Sequence, residues 1–190
     1  MLKLSAYPRT VDLRDGTTIE VRPLAPTDEH ALLSFFLGVH EDDRYFLQHD
    51  VTSPKVIASW MRDLDYRKIL PLVACHDGVI VAEAVMIRGR HGAFAPLATI
   101  RVVVGPTFRE RGLGSALIEE LCDIATDAEL EHVTMELIDG VQNDAIAAAE
   151  RLGFFRAATI SGLLRGRDGR RLDLVTMVLP LGKWYAWSRF

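Results

Sequence analysis

Cysteine is scarce in this chain of 190 residues: only Cys75 and Cys122 occur, far apart and each in an apolar stretch. That excludes a disulfide framework and a zinc finger, and leaves two buried free thiols as the expectation. His40, His49 and His76 show no ligand spacing, so no metal is expected. No run reaches the ~18 apolar residues of a spanning helix. The opening MLKLSAYPRT has no apolar core of signal-peptide length, so a cytoplasmic protein without membrane contact is expected. Neither charge sign dominates, with Lys+Arg 22 against Asp+Glu 26 and a net charge of -4. This balance argues against a chain built to coat nucleic acid or an anionic membrane. Repeats and low-complexity tracts are also missing. What is there is 49% hydrophobic and 25% charged, the mix of a globular domain long enough to bury a core unaided.

The pattern alternates strands and helices. Val11 to Pro23 reads as two short strands around Asp15-Gly16. Thr27 is placed to cap a helix through Leu32, Phe35 and Phe36, with Asp28 and Glu29 in its first turn. Ser53-Pro54 opens a second helix, whose Val56, Ile57, Trp60, Met61 and Leu64 share one face. Ile69 to Cys75 and Val79 to Ile87 flank Asp77-Gly78, a hairpin signal. A glycine-containing loop leads to Leu97 to Val104, β-branched on both faces and so a central strand. A helix from about Gly112 to Ala128 follows, then a strand His132 to Ile138. An alanine-rich helix, Asp144 to Leu152, stops at Gly153. Thr159 to Leu164 and Leu172 to Leu179 form a last hairpin. This order predicts a single mixed α/β sheet with helices on both sides.

The segment Val102-Val103-Val104-Gly105-Pro106-Thr107-Phe108-Arg109-Glu110-Arg111-Gly112-Leu113-Gly114-Ser115 carries the chemistry. A central strand enters a turn that opens a helix. Gly112 and Gly114 leave the backbone bare there. The first N–H groups of a helix have no intrahelical partner and sit at the positive end of its dipole. With Arg109 and Arg111 they make an anion site suited to a diphosphate. No Gly-Lys-Ser/Thr follows, and the three-glycine dinucleotide spacing is absent.

Arg109-Glu110-Arg111-Gly112-Leu113-Gly114 resembles the Arg/Gln-x-x-Gly-x-Gly/Ala loop of the GNAT N-acetyltransferases, and Val104-Gly105-Pro106 the end of their fourth strand. Asn143, Ala147 and Glu150-Arg151-Leu152-Gly153-Phe154 resemble their second signature. The likeness covers about residues 17 to 180. It implies a single acetyltransferase domain over 1–190: a mixed, mostly antiparallel sheet of about seven strands flanked by about four helices, splayed between the family's strands 4 and 5. Leu13-Arg14-Asp15-Gly16 and Val21-Arg22-Pro23-Leu24-Ala25-Pro26-Thr27-Asp28 look like the start of bacterial protein lysine acetyltransferase domains. The synthetase or cyclic-nucleotide modules that often accompany those domains are not found within these residues.

The resemblance implies acetyl-CoA as co-substrate and no metal. It implies that the backbones of Val102, Val103 and Val104 hold the pantetheine and thioester, as an added strand would. An amide near Val102 would stabilise the oxyanion. Arg109, Glu110, Arg111, Gly112, Leu113, Gly114 and Ser115 would hold the diphosphate, and Asn143 the pantetheine arm. Counting back from Leu152-Gly153-Phe154, the family's Asn falls on Gln142, or on Asn143 if one residue is deleted. Two further departures concern catalysis. Thr99 stands where the subtype often has Glu, and Ala149 where many relatives have a Tyr acid. An amine with a pKa near ~10.4 needs a base near neutral pH. Glu83, amid apolar strand neighbours that would raise its pKa, is the first candidate. Glu136 and His91 are rivals, and ordered water without a single base is the remaining option.

Three readings follow: transfer of an acetyl group from acetyl-CoA directly to a protein lysine, transfer to a small-molecule amine, or a non-catalytic acyl-CoA-binding regulatory module. The amine acceptor is the expected partner. The tail Lys183 to Phe190, with aromatic Trp184, Tyr185, Trp187 and Phe190, is read as packing on its own domain, forming a homodimer contact or docking a partner. Arg165, Arg167, Arg170 and Arg171 form a basic hairpin tip, solvated or open to an acidic protein substrate.

Overall fold

The computed structural model describes residues 4–89 and 91–182; the aromatic tail 183–190 lies outside them. The described strands form one eight-stranded sheet in the order β1-β2-β3-β4-β5-β6-β8-β7. They are β1 (Arg9–Asp12), β2 (Thr18–Pro23), β3 (Ile69–His76), β4 (Val79–Arg88), β5 (Leu97–Val104), β6 (His132–Ile138), β7 (Phe155–Arg165) and β8 (Arg171–Pro180). The helices are α1 (Glu29–Gly38), α2 (Glu41–Arg44), α3 (Pro54–Arg62), α4 (Leu113–Asp127) and α5 (Asn143–Arg151). The sequence led us to expect about seven strands and four helices. The additional helix is α2, a single turn of Glu-Asp-Asp-Arg with no apolar periodicity to announce it.

The described residues divide into two compact units. One comprises the chain up to Val85 together with Val102–Leu117. Here β1 pairs antiparallel with β2, and β2 with β3. Asp77 and Gly78, both at positive φ (50° and 77°), make the tight β3–β4 turn. Leu24, Leu32, Phe36, Ile57, Met61 and Val73 are buried together, with Trp60 edge-on to Phe36 at 6.3 Å. The α1 start departs from expectation. Thr27 lies in a 3-10 turn, Pro26–Asp28, and Asp28 precedes the helix. The Asp28 carboxylate caps nothing in α1, because it is taken elsewhere. Arg22 donates to it in bidentate fashion (2.6 and 2.9 Å), and it also accepts the Ala25 N–H at 2.8 Å. Arg22 is thus paired with an acid, and the pair holds the Asp28 carboxyl below its usual range.

The other unit comprises Met86–Arg101 and the chain from Ile118 onward. Its parallel ladder joins β5 to β6 over Leu97–Thr99 against His132–Thr134, although β5 runs on to Val104 and β6 to Ile138. β6 pairs antiparallel with β8 along its whole length. Val133 and Met135 of β6 and Val175 and Met177 of β8 are buried, as are Leu121, Ala125 and Ile146 of the helices. β7 pairs only with β8 and forms one edge of the sheet. Its register shifts twice, between Arg156 and Ala158 and between Ile160 and Leu164. In the second bulge Gly162 sits at φ 64°, and its N–H donates to Asp173 Oδ1 at 2.8 Å.

Candidate functional site

The turn after β5 is fixed by its neighbours. Gly105 donates its N–H to Val81 O at 2.8 Å, and a Cβ there would stand 2.9 Å from that same oxygen, so only glycine permits the approach. Pro106–Phe108 make one 3-10 turn and Arg109 is extended. Glu110 and Gly112 then take positive φ, 61° and 92°. α4 starts at Leu113, and its first main-chain bond runs from Ala116 N–H to Gly112 O at 3.0 Å. Among the described residues, the N–H groups of residues 109–115 donate no hydrogen bond. Unused main-chain donors at the positive end of a long helix are chemically suited to an anion such as a diphosphate.

The two arginines of this loop are not free charges. Arg109 donates to Val104 O at 3.1 Å and to Asp43 Oδ2 at 2.7 Å. Arg111 donates to Asp15 Oδ2 at 3.0 Å, and its guanidinium lies 5.1 Å from the centre of the Phe108 ring. Phe108 in turn meets His76 edge-on at 5.4 Å. Arg14 donates its N–H to Arg111 O at 3.2 Å, which ties the β1–β2 turn to the loop. Nothing in the sequence announced Asp43 and Asp15 as partners. They come from a one-turn helix and from a hairpin tip, both distant in the chain.

Glu83, on β4 in the same unit as the loop, is buried, with 7% of its surface exposed. Among the described residues it has no hydrogen bond or ion pair. Burial alone pushes its carboxyl up to about 7. Val102, Val103 and Val104 are half-buried. Glu136 is exposed on β6, opposite Thr176, and His91 is exposed in its loop. At Thr99 the side chain is bound to Thr134, Oγ1 to Oγ1 at 2.9 Å across the parallel ladder. A neutral hydroxyl pair therefore occupies the position where the subtype often has a carboxylate. Ala149 is fully buried in α5. Asn143 opens α5, and its Oδ1 accepts the Gly140 N–H at 2.9 Å, while Gln142 Oε1 accepts the Ile138 N–H at 2.9 Å at the end of β6. Both amide side chains therefore already serve the β6–α5 turn through their oxygens.

Among the described residues no three His, Cys, Asp or Glu side chains gather as metal ligands would. No described helix is long and apolar enough to cross a membrane. Cys75 is buried and Cys122 partly so, and burial pushes the Cys122 thiol up to about 12.

A strand, a bare-backbone turn and a helix opening onto unused amides are suited to a donor that carries phosphates. The model of the acetyltransferase (GNAT) family matches residues 31–154, and the chain belongs to that family. It is an N-acetyltransferase with acetyl-CoA as its co-substrate. Comparison with curated proteins finds no match in sequence. Solved structures share the fold. The GNAT domain of S. lividans PAT superposes with a TM-score of 0.73 at 23% identity, over 91% of this chain and 96% of that one. The yncA protein of Salmonella typhimurium, solved with its cofactor acetyl-CoA, gives 0.73 at 20%, over 87% and 95%. The ribosomal-protein-S18-alanine N-acetyltransferase of Escherichia coli gives 0.67 at 25%, over 87% and 97%.

Proposed function

We propose that this chain moves an acetyl group from acetyl-CoA directly to a primary amine carried by a protein, a lysine side chain being the acceptor. The observation that carries the donor half is the run of unused amides from Arg109 to Ser115 at the start of α4. These amides hold the diphosphate, with the backbone rather than the Arg109 and Arg111 side chains as the main ligand. The main chain of Val102 to Val104 receives the pantetheine as a strand would. In support, the β5–β6 ladder ends at Thr99 while β5 continues to Val104. Within that stretch the Val104 carbonyl is already engaged by Arg109.

Glu83 is the base we assign. A carboxyl near 7 is ionised often enough at neutral pH to take a proton and basic enough to hold it. The amine nitrogen bonds to the thioester carbon and the C–S bond breaks. The proton lost by nitrogen passes to the Glu83 carboxylate, and the departing thiolate takes up a proton to leave as free CoA thiol. The acceptor class rests on the Leu13-Arg14-Asp15-Gly16 and Val21-Arg22-Pro23 block, which looks like that of protein lysine acetyltransferases. A small amine is the second reading.

Calorimetric titration with acetyl-CoA, followed by thiol release with lysine-bearing proteins and with small amines, tests this. Release that depends on protein supports the proposal. Release with small amines alone moves the acceptor to the second reading. Binding without release from any acceptor leaves a regulatory acyl-CoA-binding module and overturns the assignment.

A further inference from the structure

Arg14 is the cation of the coenzyme loop whose charge is unspent. Arg109 and Arg111 each face a carboxylate, from Asp43 and Asp15. Arg14 is exposed, and among the described residues its guanidinium has neither an ion pair nor a hydrogen bond. It is nonetheless held at the loop. Its main-chain N–H donates to Arg111 O at 3.2 Å. Its side chain lies over Gly112, where a Cβ would stand 3.3 Å from Arg14 Nε and 3.5 Å from Cγ. Gly112 is the glycine at positive φ among the unused amides, so its bare side is the side that Arg14 covers.

The geometry points to Arg14 as a further coenzyme-binding residue: it closes on the diphosphate from the β1–β2 turn and supplies the charge that the two loop arginines do not. This rests on the reading of residues 109–115 as the diphosphate cradle. Three physical points favour it. A guanidinium can give a phosphate two parallel N–H bonds, which a lone backbone amide cannot. An exposed side chain that already lies against the loop loses less freedom on binding than one that must be recruited. The ion pairs of Arg109 and Arg111 would have to break, or share their donors, before those side chains could do the same.

The test measures acetyl-CoA affinity by calorimetry for wild type, Arg14→Gln and Arg14→Lys, at two salt concentrations, and repeats it with acetyl-dephospho-CoA, which keeps the diphosphate and lacks the 3′-phosphate. Arg14→Gln should weaken acetyl-CoA by about tenfold, the scale of one charge-assisted hydrogen bond. It should also flatten the salt dependence. Arg14→Lys should recover part of both, which a packing role over Gly112 would not produce. The same ratio between wild type and Arg14→Gln should hold for acetyl-dephospho-CoA. A ratio that collapses to one with that ligand overturns the diphosphate contact. Unchanged affinity of Arg14→Gln, with wild type binding normally, overturns this inference and leaves the cradle standing. Failure of wild type to bind either ligand overturns the cradle and the inference with it.

Discussion

Replacing Glu83 by Gln separates the cost of a buried carboxylate from its use. The side chain is buried with no partner among the described residues, and desolvation raises its carboxyl from 4.5 to about 7. In the unfolded chain it ionises near 4.5, while in the folded chain it keeps its proton until about 7. The folded state therefore binds the extra proton between those values, so wild-type stability falls as pH rises through that window and levels off above it. At about 1.4 kcal/mol per unit, the interval amounts to roughly 3 kcal/mol above pH 7. Gln is neutral and of the same shape, and so mimics the protonated acid. The two proteins should be equally stable below pH 4. Glu83→Gln should gain progressively, to roughly 3 kcal/mol at pH 8, or roughly 6–12 °C in Tm for a chain of this size. Urea unfolding at several pH values measures the difference directly. In the same samples thiol release should fall by about 10²- to 10⁴-fold with coenzyme affinity retained, and the wild-type rate should rise with pH through about 7. A stability difference that does not vary with pH would refute the desolvation argument. Retained turnover in Glu83→Gln would refute the role as base.

Other outcomes follow from the geometry. Gly112→Glu places a side chain at a φ of 92° and a negative charge against Arg14, so acetyl-CoA binding should fall by at least about 100-fold in calorimetry. Asp28→Asn loses the bidentate Arg22 contact at a mostly buried site and should cost roughly 2 kcal/mol in urea unfolding at pH 7. Because the folded Asp28 carboxyl titrates below its usual range, that contribution is complete above the ordinary carboxylate pKa and disappears as pH falls through the folded value. Thr99→Val removes only the hydroxyl contact with Thr134, so kcat should stay within about twofold at a stability cost of about 1 kcal/mol. A large loss of kcat would make Thr99 more than a structural neighbour.

The parts of the fold that could be read in the sequence are those with a strong local cause. β5 and β6 span Leu97–Val104 and His132–Ile138 as expected, both carrying β-branched side chains that favour a strand. The Asp77-Gly78 turn was legible because both residues tolerate positive φ. Helix α2 was not, since one turn carries no period. Thr27 misled because Asp28, the neighbour that determines the local geometry, binds an arginine on another strand. The bare turn after β5 was legible from its glycines, and the burial of Glu83 from its apolar flanks. The neutralisation of Arg109 and Arg111 was not, because Asp43 and Asp15 lie far from them in the chain. The free state of Arg14 stayed hidden for the same reason, since it shows only once those pairs are formed.

The double bulge of β7 bears on how this protein behaves at high concentration. An eleven-residue edge strand with exposed Phe155, Ile160 and Leu163 is the kind of template on which another chain could crystallise its own strand. The template is interrupted. Two register shifts break the even spacing of its outward N–H and C=O groups, and Asp173 draws the Gly162 amide back toward β8. A newcomer would find at most a few residues in step before the pattern fails. The edge of the sheet that looks most adhesive in composition is, in its backbone, built to stay single.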